Sequence, residues 1–170
     1  MTIDGDMSTN DSVLILANGS TRVDIEKESV DTIAEFQEAV DQVCACLARK
    51  CVTDGEKVTK FVELQLIGAS SDQDADLVAR CIANSLLVKT SWYGSDPNWG
   101  RIVDAAGYAR VGIDFERFDL WYNDVPAVEK GKPLPSNKHK WKEIVSEKSF
   151  VIKIHLNSGS GKAVLWSNDL

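Results

Sequence analysis

The carboxylate of Glu56 stands in a short connection that could fix its position well enough for chemistry. The stretch Thr53–Phe61 joins a helix-like segment to a strand-like one, and Lys57 and Lys60 flank the carboxylate. The helix should end at Asp54–Gly55, because glycine tolerates the left-handed conformation that caps the last carbonyls of a helix. We therefore expect Glu56 to project from a tight turn between two rigid elements. A solvated turn glutamate is the alternative.

Asn98 and Arg101 form a second candidate site, at the start of a predicted helix. Asp96 is placed to cap this helix, and Pro97 to occupy its first turn, where no amide hydrogen is needed. Free amide hydrogens and the helix dipole favour an anion at such a position, so the two side chains could support a substrate carboxylate. A capped helix entry anchored by Trp99 would explain the segment without a ligand.

Other residues of catalytic type lack partners at fixed spacing. His155 falls on the outward face of a predicted strand, and His139 lies in a lysine-rich helix without an acidic or nucleophilic partner. The stretch 159–162 resembles a phosphate loop but fails the pattern, because Leu156 replaces the first glycine and Ala163 follows the lysine. A glycine-rich hairpin turn is the better prediction.

The four cysteines indicate core packing rather than a metal site. Cys44, Cys46 and Cys51 fall on one predicted helix, where the first and last share its apolar face. We interpret them as small core residues in a reducing compartment. A zinc site that adds Cys81 is the alternative, but the sequence contains no C-x-x-C pair.

The composition is typical of a globular protein and does not indicate a basic surface for binding a partner. The chain has 170 residues, 44% hydrophobic and 26% charged, with a net charge of −7 and a pI near 4.8. Nucleic acids and anionic membranes both require a concentrated basic surface, so neither is expected as a partner. No apolar stretch approaches about 18 residues, and the first residues lack the pattern of a secretion signal. We expect a cytoplasmic protein.

Helices and strands alternate in the first part of the chain. A polar run leads into an apolar strand at Val13–Ala17, and a helix capped by Ser29 precedes the Glu56 turn. A strand over 61–67 follows, and Ser71 begins a second helix whose apolar stripe extends to Leu86. This order predicts a layered α/β core over residues 1–109.

Shorter elements follow residue 110 and indicate a small second domain over 110–170. The pattern predicts strands at 110–113, 118–122, 150–156 and 162–166, with a helix near 137–146. The resulting β-β-α-β-β order suggests a roll-like sheet.

Four stretches together resemble the ornithine acetyltransferases of arginine biosynthesis, also called bifunctional glutamate N-acetyltransferase/amino-acid acetyltransferase. In this order and at these separations they cover nearly the whole chain, and the last is the most specific. They are Asp4–Asp11; Asp54–Glu56 with Thr59–Phe61; Ile82–Ser85 with Val88–Thr90; and Gly94–Ile102, which contains Asp-Pro-Asn-Trp-Gly-Arg.

This resemblance implies an amino-terminal-nucleophile-like fold and an acetyl transfer reaction. Members of the family cut themselves before a threonine, and the resulting α and β chains stay together, as an expected α2β2 heterotetramer. The new amino-terminal threonine takes acetyl from N-acetylornithine and passes it to glutamate, with its amine as the nearby base. No cofactor is implied, although some members also accept acetyl-CoA. The present sequence is similar to most of the β chain.

Only one of the family's substrate-binding residues carries over, onto Glu56, where the resemblance implies contact with the substrate α-ammonium. The nucleophile and a substrate-binding carboxyl-terminal tail have no counterparts here. Removal of Met1 would leave Thr2 at the amino terminus, but the resemblance aligns Thr2 with a strand residue. Two alternatives stay open: a non-catalytic amino-acid-binding or interaction module, and, less favoured, an aminopeptidase-like hydrolase.

Overall fold

The computed structural model of the chain describes residues 1–169, which form a mixed α/β fold. None of the helices in this range is long and apolar enough to cross a membrane. The helices are α1 Val30–Thr53, α2 Asp72–Ala83, α3 Leu86–Tyr93, α4 Trp99–Gly107 and α5 Lys138–Ser146. The strands are β1 Phe61–Ala69, β2 Asp119–Tyr122, β3 Val125–Glu129, β4 Lys132–Pro133, β5 Ser149–His155 and β6 Gly161–Asn168.

The strands form one six-stranded sheet in the order β4-β3-β2-β5-β1-β6. β1 is parallel to β5 and antiparallel to β6, and the other neighbours are antiparallel. Phe61 is opposite Ser149 on one side and Asn168 on the other, so the first residue of β1 lies beside the end of β6. Strands from both sides of residue 110 share this sheet, and the division at 109/110 remains a prediction.

The core lies between one face of the sheet and the helices that cover it. Val62, Leu64 and Leu66 on β1 are completely buried, as the predicted alternation requires. α2 packs on β1 and β6, and α4 packs on α2. The opposite face is more open, since Ile67 is 47% exposed. The architecture is therefore a sheet with one helical layer.

Local capping explains where the first two helices begin. The hydroxyl of Ser29 accepts a hydrogen bond from the amide of Thr32, and that of Ser71 accepts one from Asp74, each at 3.1 Å. Both predicted helix starts are confirmed. The predicted helix near 137–146 and the last two strands are also confirmed, as α5, β5 and β6.

The second predicted helix is in fact two helices. α2 ends at Ala83, with Asn84 as its cap, and the Ser85 hydroxyl accepts a hydrogen bond from the Val88 amide to begin α3. This change of direction removes Leu86 from the apolar stripe of α2 and leaves its side chain 68% exposed. The predicted extension of the stripe to Leu86 was therefore wrong.

Two predicted strands are absent from the described residues. Val13–Ala17 has no regular structure, and the side chain of Val13 is 100% exposed. A strand needs a neighbour for its backbone hydrogen bonds, and an apolar run does not supply one. Residues 110–113 are not a strand either, because Arg110 adopts a left-handed conformation with φ of 56°.

The apolar face of α1 is also exposed, contrary to the core position expected for its cysteines. Phe36 is 61% and Leu47 is 55% exposed, and Cys44, Cys46 and Cys51 are exposed. The helix contacts the sheet at β6, and Val52 is its one buried residue. Within residues 1–169 no group of three or more His, Cys, Asp or Glu side chains could hold a metal ion.

The glycine-rich segment before β6 is a crossover, so the predicted hairpin was wrong. β1 lies between β5 and β6, and the connection must pass the end of β1 to reach its far side. A Cβ on Gly161 would lie 2.2 Å from the carbonyl carbon of Ser71, and one on Gly159 would lie 2.5 Å from the Ala69 oxygen. These glycines permit the close crossing.

Candidate functional site

Glu56 is exposed in the connection between α1 and β1, as predicted. The Val58 amide donates a hydrogen bond of 3.2 Å to the Gly55 carbonyl and closes the turn. The left-handed residue is Lys57, with φ of 60°, and not Gly55. Gly55 is required instead by a close approach, because an added Cβ would lie 2.6 Å from Cγ2 of Val58. The carboxylate thus stands beside a strained backbone position.

Asp169 binds the end of this turn. Its Oδ1 accepts hydrogen bonds from the amides of Thr59 at 2.9 Å and Lys60 at 2.7 Å, and its Oδ2 accepts one from the Thr59 hydroxyl. The Asp169 amide donates to the Lys60 carbonyl at 3.3 Å. The carboxylate is fully buried. A charged acceptor with several donors forms strong hydrogen bonds, so the entry of β1 is firmly held.

Asn168 binds the beginning of the turn. Its side-chain amide donates a 2.9 Å hydrogen bond to the carbonyl of Val52, in the last turn of α1, where carbonyls lack partners within the helix. The Asn168 main-chain carbonyl accepts a 2.7 Å hydrogen bond from Nζ of Lys89. Lys89 Nζ also donates to Oδ1 of Asn168 at 3.3 Å and to the Ser167 hydroxyl at 3.1 Å.

Two lysine side chains in this region are buried. Burial lowers the pKa of Lys89 to about 8, although the charges of Asp4 and Asp169 oppose the change. Burial also lowers the pKa of Lys60, whose Nζ donates to the Ser95 hydroxyl at 2.6 Å and to the Val145 carbonyl. Lys60 therefore joins the entry of β1 to the loop before α4.

An open cleft of about 500 Å³ lies beside the turn. This volume is within the range of small-molecule sites. Phe61 forms one wall and is covered by the guanidinium of Arg49, 4.3 Å from its ring centroid. The lining residues are Thr53, Val58, Thr59, Lys60, Phe61 and Lys148.

Asn98 and Arg101 both hold structural positions at the start of α4. The Asn98 side chain caps α4 by accepting a hydrogen bond from the Arg101 amide at 3.3 Å. The Arg101 guanidinium donates to the Leu87 carbonyl at 2.8 Å and to the Thr90 hydroxyl at 3.3 Å, which ties α4 to α3. Among residues 1–169 no hydrogen bond joins either side chain to Glu56. A supporting role at the active site stays a prediction.

The start of α4 differs from the prediction by two residues. Asp96 does not cap the helix, since its carboxylate accepts a 3.1 Å hydrogen bond from the Asn98 side chain. Pro97 precedes the cap instead of occupying the first turn. Asn98 rather than Asp96 is the cap, because the Asn98 side-chain amide can cap the helix with its oxygen and donate to the Asp96 carboxylate with its nitrogen.

Thr2 lies at the outer edge of β6. Its amide donates a 3.0 Å hydrogen bond to the Trp166 carbonyl, and its hydroxyl donates one of 2.7 Å to Oδ1 of Asn84. Both groups are therefore engaged by neighbouring residues of the same chain.

The sequence prediction overlooked Lys89, Asn168 and Asp169 as residues that position the turn. Their contacts join positions 78 to 116 residues apart, which no local pattern reveals. One signal was available: Lys89 is the one charged residue of α3, and a lysine among buried positions needs hydrogen-bond partners.

Comparison with known proteins places these features in a family. The ArgJ family profile matches residues 1–170. "Arginine biosynthesis bifunctional protein ArgJ" of Geobacter sulfurreducens is 39% identical over 171 residues, which are 100% of this chain and 44% of that protein. The protein of the same name from Chlorobium chlorochromatii is 42% identical over 170 residues, which are 100% of this chain and 39% of the relative. The chain thus spans about two-fifths of these relatives.

A solved structure agrees with the sequence comparison. The crystal structure of the arginine biosynthesis bifunctional protein ArgJ from Bacillus halodurans has a TM-score of 0.91 and 34% sequence identity. The match covers 99% of this chain and 80% of that one. On the evidence of both profile and structure, the chain belongs to the ArgJ family.

Proposed function

We propose that this chain is part of an acetyltransferase of arginine biosynthesis that moves an acetyl group from N-acetylornithine to glutamate. Family membership over the whole chain supports this proposal, as do the names of the relatives. Acetyl-CoA is a second candidate donor, and the chemistry requires no bound cofactor.

The observation that carries the proposal is the placement of Glu56. The carboxylate is exposed, yet hydrogen bonds to buried groups hold both ends of its turn. In the proposed role it accepts a hydrogen bond from the α-ammonium of the amino-acid substrate. The neighbouring cleft is lined by the exposed basic residue Lys148, which suits an anionic molecule.

The acyl-carrying threonine belongs, in this proposal, to the remaining three-fifths of the relatives' length. That threonine attacks the acetyl carbonyl, forms an acyl-enzyme and releases ornithine, and glutamate then takes the acetyl group. This chain supplies the ammonium-binding side of the site.

The proposed partner is the α chain of the same precursor, in a cytoplasmic α2β2 assembly. The exposed apolar face of α1, which includes Phe36, Val43 and Leu47, is the surface that we assign to it. Exposed apolar surface of this kind marks interaction sites. More than half of the relatives' length lies outside the matched residues and could cover it.

The test is Glu56→Gln in the complete protein. The change keeps shape and removes charge, so KM for N-acetylornithine and glutamate should rise by about ten- to a hundred-fold, since a hydrogen bond to a charged group contributes roughly 1.5 to 3 kcal/mol. KM values within about twofold of the parent would contradict the role of Glu56.

A matched control is Glu147→Gln, because Glu147 is exposed beside Lys148. Its KM values should stay within about twofold of the parent. Glu63 is unsuitable as a control, because its carboxylate accepts hydrogen bonds from Trp166 at 2.9 Å and Gln65 at 2.5 Å.

A further inference from the structure

The turn that carries Glu56 is held at both ends by consecutive residues of one strand end. Asn168 binds the last turn of α1, and Asp169 binds Thr59 and Lys60 at the entry of β1. The first residue of β1 is directly opposite Asn168 in the sheet. The two anchors therefore sit on one short piece of backbone and cannot move independently.

The link from Asn168 to Lys89 makes this piece of backbone rigid. Lys89 is fully buried and points its ammonium at the Asn168 carbonyl, the Asn168 side chain and the Ser167 hydroxyl. Three acceptors match the three donors of an ammonium group. The bond to Oδ1 orients the Asn168 side chain so that its amide donates to the Val52 carbonyl.

Nothing in the stability of the fold explains a buried cation at this place. An apolar residue in α3 would avoid the cost of removing an ammonium from water. The arrangement gains precision instead, because the two hydrogen bonds from Lys89 to Asn168 hold the side chain that binds the Val52 carbonyl at the beginning of the Glu56 turn.

We propose that Lys89, Asn168 and Asp169 are positioning residues for Glu56, which fix the ends of its turn and so place the carboxylate for the substrate ammonium. This inference rests on the role proposed for Glu56. In this role Asn168 and Asp169 act through the backbone at residues 52 and 59–60, and Lys89 acts through Asn168.

The decisive variant is Asn168→Asp in the complete protein. It keeps the acceptor for Lys89 but replaces the amide that donates to the Val52 carbonyl, so it releases the α1 end of the turn alone. KM for glutamate should rise by about tenfold, the loss expected when one hydrogen bond of the anchor is removed, with kcat changed by less than about threefold. The Val58 amide, which closes the turn, should exchange its hydrogen faster.

The matched control is Ser167→Ala. It removes one acceptor of Lys89 but no group bonded to the turn, so the melting temperature should fall while KM stays within about twofold of the parent. A rise in KM equal to that of Asn168→Asp would show a general loss of packing and would overturn the inference.

A double-mutant cycle separates positioning from stability. In a Glu56→Gln background, Asn168→Asp should change KM by less than about twofold, because the carboxylate that it positions is already gone. Full additivity of the two changes would overturn the inference.

The inference and the proposed function fail in different ways. If Glu56→Gln leaves KM unchanged, the role of Glu56 is refuted, and the functional part of the inference with it. If Glu56→Gln raises KM but Asn168→Asp changes neither KM nor exchange at Val58, only the inference is refuted. Lys89→Met, which keeps the length of the side chain, should reproduce the rise in KM and the faster exchange.

Discussion

Helices α1 and α2 carry the same kind of apolar stripe, yet one is exposed and the other is the centre of the core. Val78 and Ile82 of α2 are completely buried against the sheet, whereas Phe36 and Leu47 of α1 are more than half exposed. Helical periodicity therefore predicts which face of a helix is apolar. It does not predict whether the same chain supplies the surface that covers this face.

The contrast between α1 and α2 predicts its largest effect when one apolar side chain of each helix is truncated to alanine. Ile82→Ala should lower the free energy of unfolding of this chain by about 2 to 5 kcal/mol, because it opens a cavity in the core. Leu47→Ala should cost less than about 1 kcal/mol, because its side chain already contacts water. Urea unfolding of the two variants measures the difference.

The same pair tests what covers α1. In the complete protein, Leu47→Ala should become more costly if the remaining chain buries this face, and the gap between the variants should narrow. An equal cost for Leu47→Ala in the chain and in the complete protein would argue against the proposed α-chain contact.

A pH dependence should distinguish the buried network from the exposed helix. The pKa of Lys89 is about 8 in the fold against an ordinary 10.5, so between these values the unfolded chain binds the extra proton and stability rises with pH. Burial raises the pKa of Tyr122 above its ordinary 10.0, so stability contributed by Tyr122 is lost above that pH. The contribution of Lys89 to the free energy of unfolding should therefore increase from pH 8 to 10, while burial raises the pKa of the Cys81 thiol above its ordinary 9.0 and opposes this increase.

Lys89→Met provides the control for this pH effect. The variant lacks the titrating group and should show a flatter profile between pH 8 and 10 in urea unfolding. A parent profile that rises no more steeply than that of Lys89→Met would contradict the buried position of the Lys89 ammonium.

The smallest expected effect concerns the strained residue of the turn. Lys57→Gly should stabilise the chain by about 0.5 to 1 kcal/mol, because glycine adopts the left-handed conformation without the cost of a Cβ, and this gain exceeds its larger entropy in the unfolded state. Thermal unfolding measures the change. Lys57→Ala, which shortens the side chain and keeps the strain, should give no such gain.

Local signals predicted most elements and the Glu56 turn, but not what the elements contact. Ser29 and Ser71 marked helix starts because capping depends on neighbours three residues away. The strand expected at Val13–Ala17 failed because pairing requires a distant partner. The roles of Lys89 and Asp169 were not predicted for the same reason, because they depend on contacts that form only when the end of β6 lies beside the start of β1.

The pairing of β1 with strands from the end of the chain affects how the protein folds during synthesis. Thr59 and Asp169, which bond to each other, are 110 residues apart in the sequence, and β1 lies between two strands from the last part of the chain. At about 5 to 20 residues per second, the ribosome takes roughly 5 to 20 s to supply Asp169 after β1 has been made. Until β5 has been made, both edges of β1 lack their native neighbours, and one edge stays unpaired until β6 follows, which makes the nascent chain vulnerable to mispairing.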